Sequence, residues 1–141
     1  MKKIFAILAS IALLLAGCAQ SRPEATAQPD IQSPEAVYIG EYLDYDNNEP
    51  NLQIAKGAEG KFIVQIGIYR LTRLSDGVGE LTPEGMRFTA TDAAGNPISG
   101  IITVENGIAT VTFTNSTWDN LENGAAFQYK KSADTPNLWQ E

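Results

Sequence analysis

The sequence predicts an all-β fold: a small antiparallel barrel or curled meander of about eight short strands, with a two-sheet β-sandwich as the alternative. Three observations predict it. Apolar residues through the middle of the chain recur with a period of two and not 3.6. Turn-forming residues interrupt them at intervals of about 8 to 12 residues. The intervening connections are too short for parallel crossovers, which need about a dozen residues or more, so neighbouring strands must run antiparallel. Closing such a sheet on itself removes its exposed edges.

The first strand is expected over residues 37–45, where Tyr38-Ile39-Gly40-Glu41-Tyr42 sets two tyrosines on one strand face around a glycine that permits curvature. Asp46-Asn47-Asn48-Glu49-Pro50 then turns the chain into a strand over 51–56. After Glu59-Gly60, residues 61–69 place Phe62, Val64, Ile66 and Ile68 on one face. A strand over 71–81, with the turn-prone Ser75-Asp76-Gly77 inside it, leads to Thr82-Pro83-Glu84-Gly85. Over 86–92, Met86, Phe88 and Ala90 alternate with Arg87, Thr89 and Thr91. Ala94-Gly95-Asn96-Pro97 separates this from a strand over 98–105. Asn106-Gly107, the sharpest hairpin signal in the chain, joins it to one over 108–114. Residues 115–124 break the alternation. There Ser116-Thr117-Trp118-Asp119-Asn120-Leu121 reads as a helical turn capped by Ser116 or Thr117, with Trp118 and Leu121 lying over one end of the barrel. The last strand is expected over 125–131.

The flanks differ in composition. Met1-Lys2-Lys3 is a positive leader, and Ile4 to Gly17 is an apolar run of 14 residues broken only by Ser10, too short to span a bilayer. Residues 1–17 are therefore expected to be a signal peptide. Residues 18–35 are rich in Pro, Ala and Gln and read as a disordered tether, residues 36–131 as the β-domain, and residues 132–141 as a polar tail.

Leu15-Ala16-Gly17-Cys18 resembles the lipobox of bacterial lipoproteins. The resemblance implies cleavage before Cys18, acylation of its thiol and attachment to a membrane through N-terminal acyl chains. Ala19, in the position where an Asp tends to retain such proteins at the inner membrane, implies the outer membrane, with the domain facing the periplasm.

Composition excludes much chemistry. The chain has no His and its one Cys is Cys18, so catalytic centres built on His, His-ligated metals and internal disulfides are ruled out. No enzyme activity and no cofactor are expected. Loss of the leader takes the formal charge from −7 to −9, which disfavours nucleic acid and anionic membrane surfaces and favours a cationic partner.

Candidate binding residues are Tyr38, Tyr42, Tyr45 and Trp118, which offer large contact area at low entropy cost to a sugar ring or a protein. Asp44-x-Asp46-x-Asn48 matches the opening of a calcium loop, but Glu49 and Ala55 stand where that loop needs Gly and Glu, so the stretch reads as a self-capped turn. Arg70 and Arg73 are expected as two separate exposed charges.

Size, anchor and barrel together resemble the bacterial membrane-anchored lysozyme inhibitors. Those proteins use a Ser-Gly-x-x-Tyr loop and cysteine pairs; here Ser99-Gly100-Ile101-Ile102-Thr103 has no aromatic residue and the mature domain has no disulfide. The expected role is thus a monomeric, non-enzymatic binder of another envelope macromolecule, either a cationic protein such as a basic hydrolase or a cell-wall glycan. The alternative is a calycin-like carrier of a small apolar ligand. Interior volume separates the two, because a narrow barrel should be filled by Phe62, Ile66, Ile68, Phe88 and Phe113.

Overall fold

A computed structural model describes residues 32–140. The expected signal peptide, Cys18 and most of the expected tether lie outside the described residues. A short helix, α1 (Pro34–Tyr38), precedes eight strands: β1 (Gly40–Asp44), β2 (Leu52–Lys56), β3 (Phe62–Ile68), β4 (Thr72–Thr82), β5 (Gly85–Thr91), β6 (Pro97–Glu105), β7 (Ile108–Asn115) and β8 (Ala126–Ala133). Each strand pairs antiparallel with the next, and β1 pairs with β8, so the sheet is a closed barrel in sequence order. The sandwich alternative is excluded by that closure.

Up-and-down order divides the connections between two ends. At the lower end lie α1 and the hairpins at 57–61, 83–84 and 106–107; at the upper end lie 45–51, 69–71, 92–96 and 116–125. Asn106 and Gly107 both take positive φ, 51° and 76°, as the predicted tight hairpin requires. The expected boundaries shift at the two ends of the domain. Residues 34–38 are helical because Pro34 occupies the first turn and the Ser33 side chain accepts a hydrogen bond from Ala36 N. Tyr38 is therefore not on the first strand, and the helix spans the boundary placed between tether and domain at residue 36. At the other end β8 continues to Ala133 and the residues beyond it are held against the barrel.

The interior is solid. Registers run Phe62↔Gly79, Gly79↔Phe88, Phe88↔Gly100 and Gly100↔Phe113, so phenylalanine and glycine alternate across five consecutive strands. Gly100 leaves room that the Phe88 ring fills, and Gly79 leaves room filled by the Met86 and Val64 side chains. A Cβ on Gly100 would stand 2.2 Å from Thr112 O and 2.8 Å from the Phe88 ring. The Phe88 and Phe113 rings meet edge-to-face with centroids 5.5 Å apart. Alternating large and small residues let a narrow barrel pack to its axis. Leu52, Ile54, Val64, Ile66, Leu74, Met86, Ile98, Ile102 and Val111 complete the core.

Two tyrosine hydroxyls tie this core to backbone. Tyr129 reaches across the barrel to donate to Gly67 O at 2.9 Å. Tyr42, fully buried, donates downward to Tyr38 O at 2.7 Å and Val37 O at 3.1 Å, which fixes α1 to the lower end. Burial pushes both hydroxyls well above the ordinary tyrosine range, with nearby Asp44 and Asp46 adding to the effect on Tyr129, and Asp134 and Tyr38 to that on Tyr42. Both are therefore permanent donors.

Candidate functional site: the upper mouth of the barrel

β1 ends at Asp44, and the chain turns at once through 45–51. Asp44 makes that turn: its Oδ1 accepts from Asn47 N at 2.8 Å and Asn48 N at 3.1 Å, and its Oδ2 accepts from the Asn51 side-chain amide. The carboxylate is buried and wholly engaged by its own loop, which leaves Asp46 and Asn48 exposed beside it. Asp44, Asp46 and Asn48 thus form a capped turn. Among the described residues no group of three or more His, Cys, Asp and Glu side chains is placed to hold a metal ion.

The early turn leaves Tyr45 standing out from the mouth, 59% exposed. Across a cleft of about 410 Å³ stands Tyr69, 39% exposed, at the top of the β3–β4 hairpin. Ile68, Phe127 and Tyr129 give the cleft an apolar lining, while Asp44, Asp46, Thr110 and Gln128 give it polar groups. A second cleft of about 240 Å³ shares Gly67, Ile68 and Tyr69 with the first and is lined by Glu49, Arg70 and Arg73. Arg70, at φ 59°, sets its guanidinium over the Tyr69 ring at 5.0 Å. Tyr69 therefore separates an acidic cleft from a basic one, and the exposed Leu71 lies beside it.

The four tyrosine and tryptophan candidates are not brought together. Tyr45 is at the upper mouth. Tyr42 has no surface to offer a partner, because its position on β1 points it into the barrel, and Tyr38 is half-buried at the lower end beneath it. Trp118 is half-buried on the β7–β8 connection, where its carbonyl accepts from Leu121 N and its own N–H donates to Ser116 Oγ. Leu121 enters the core, and Trp118 is packed in part against it. Tyr69 was not among the sequence candidates, although its place just before the Arg70-Leu71 turn marks it as a strand-end aromatic.

Ser99-Gly100-Ile101-Ile102-Thr103 lies within β6, with Ser99 at an irregularity of the β6–β7 ladder. It forms no loop, so the stretch compared with the inhibitor motif is wall and not rim. No family model matches the chain, and neither a curated protein nor a solved structure is significantly similar to it.

Proposed function

We propose that the protein is a lipid-anchored component of the bacterial cell envelope that binds another envelope macromolecule through the upper mouth of its barrel, without catalysis. The observation that carries this reading is the contrast between a filled interior and a mouth bearing two exposed tyrosines over a cleft with carboxylates. The Phe62-Gly79-Phe88-Gly100-Phe113 girdle speaks against carriage of an apolar ligand inside the barrel. Exposed aromatic residues beside polar groups suit a protein surface or a glycan. The acidic cleft and the formal charge of −9 after loss of the leader favour a cationic protein as the partner.

Within the described residues the chain enters the barrel through α1 at the lower end, and the clefts lie at the other end. A role as inhibitor of a basic hydrolase would use Tyr45, Tyr69 and Asp46 in place of a Ser-Gly loop.

The test is titration of the acylated protein with a basic lysozyme and with soluble cell-wall glycan fragments. Binding of either is expected to weaken on Tyr45→Ala, and binding of the basic protein should also weaken between about 50 and 300 mM salt as exposed charges are screened. Stoichiometric recovery of a lipid inside the barrel, with neither partner bound, would replace this reading with the carrier.

A further inference from the structure

The outer face of a barrel strand normally points to water, yet Gln53 on β2 and Gln65 on β3 are 0% and 5% exposed. They are register partners, side by side on that face. What covers them is the chain's own end. Asn137 N donates to Gln53 Oε1 at 2.7 Å, and Trp139 N donates to Gln65 Oε1 at 2.7 Å. The Gln65 amide also donates to Trp139 O at 3.4 Å, so one side chain holds both main-chain groups of one residue. Arg73 on β4 lies over the Trp139 ring at 4.3 Å.

These contacts have the form of peptide recognition. A side-chain amide that meets both N–H and C=O of a residue reads extended backbone irrespective of sequence, and a guanidinium over a ring selects an aromatic side chain. The neighbouring surface extends the seat. Ile63 and Val78, also register partners, are 37% and 45% exposed on this same outer face. Of the five large hydrophobic residues exposed among the described residues, the other three are Tyr45, Tyr69 and Leu71 at the upper mouth. The strap itself is thinly held: residues 134–140 contain no buried residue.

We propose that the outer face of β2–β4 is a peptide-binding groove, adjoining the upper mouth at Arg73, which the C-terminal strap occupies as a resident ligand and from which an extended segment carrying an aromatic residue displaces it. The Asp134 carboxylate paired with Lys131 at 2.9 Å, and Arg73 at the other end, favour an acidic segment. Because the strap is joined to β8 by a few residues, its effective concentration is on the order of millimolar, and a free peptide at micromolar concentration cannot displace it from the native chain. A natural partner would gain the advantage by covering Ile63 and Val78 as well.

The test uses the full chain with Asn137→Pro and Trp139→Ala, which weakens the strap and leaves the groove intact, and a labelled peptide of residues 132–141 as probe. Saturable one-to-one binding to this variant is expected, absent from the native chain at the same concentrations and weakened about tenfold by adding Gln65→Leu or Arg73→Ala. Hydrogen exchange on the native chain provides an arm that needs no variant: the Asn137 and Trp139 amides should exchange at least about a hundredfold faster than those of Ile66 and Phe88. Exchange of the strap amides as slow as the barrel's, or failure of the folded variant to bind the peptide at millimolar concentration, would overturn the groove. Equal binding to the Asn137→Pro and Trp139→Ala variant with and without Gln65→Leu would do the same.

Discussion

The two ends of the barrel are finished in opposite ways. At the lower end α1 lies across the opening, Tyr42 bonds to its last carbonyls, and the Lys56–Glu35 ion pair at 2.7 Å adds an exposed tie worth little by itself. At the upper end the longest connections gather, two clefts share Tyr69, and Leu121 is the only buried hydrophobic residue in the described connections there. Below, the Tyr42 hydroxyl ties down α1; above, Tyr129 donates to Gly67 O while Tyr45 and Tyr69 are left exposed around a cleft. On the proposed reading that exposed pair makes the upper end the one used for contact, since scattered single apolar residues are ordinary but a paired set around a cleft is not.

Substitutions should separate the ends. Tyr42→Ala removes a fully buried ring and both bonds to α1, and should cost about 4 kcal/mol, read by urea unfolding. A loss below about 1 kcal/mol would mean that the lower end is not sealed by this residue. Leu121→Ala at the upper end should cost less, about 2 kcal/mol, because that end can relax into its clefts. If the order were reversed, the upper end would be the structural one.

Acid should also act at Asp76. Burial tends to raise the Asp76 carboxyl, but hydrogen bonds from the Thr91 hydroxyl and the Thr91 N–H at 3.0 Å, with one from its own backbone, outweigh it and hold the group below the ordinary 3.8. A group depressed in the folded state stabilises fully above its unfolded value and loses that contribution as pH falls through the folded one. Asp76→Asn should therefore flatten the fall of stability below about pH 4 and leave the stability-against-pH slope at neutral pH unchanged. An unchanged acid limb in urea melts would assign the effect to other carboxylates.

Much of this architecture was legible in the sequence because period-two alternation and turn residues act locally. All eight expected strands are present, with the first shortened to Gly40–Asp44 and the last extended to Ala133, and Asn106-Gly107 forms its hairpin. The closing pair of β1 with β8 was inferred only from edge avoidance, and its physical basis is Gly40, where a Cβ would stand 2.4 Å from Ala133 O. What could not be read is what depends on register between distant strands. The alternation of Phe62, Gly79, Phe88, Gly100 and Phe113 exists only once four pairings are fixed. Tyr42 and Tyr45 look alike in sequence; one extra residue of parity and the end of β1 at Asp44 send the first into the core and the second into solvent. The tail after Ala133 looks polar because its anchors are main-chain groups, which carry no side-chain signal.

The most direct measurement is photo-cross-linking in intact envelopes from a photoreactive residue introduced at Tyr45 or Tyr69 on the upper mouth, with Glu59 and Glu84 at the lower end as controls. The upper positions should each yield one discrete adduct with a protein or glycan, diminished by salt if the partner is a cationic protein, while the lower positions yield none. Adducts from Glu59 or Glu84 with none from Tyr45 or Tyr69 would contradict the assignment of the upper mouth as the binding end.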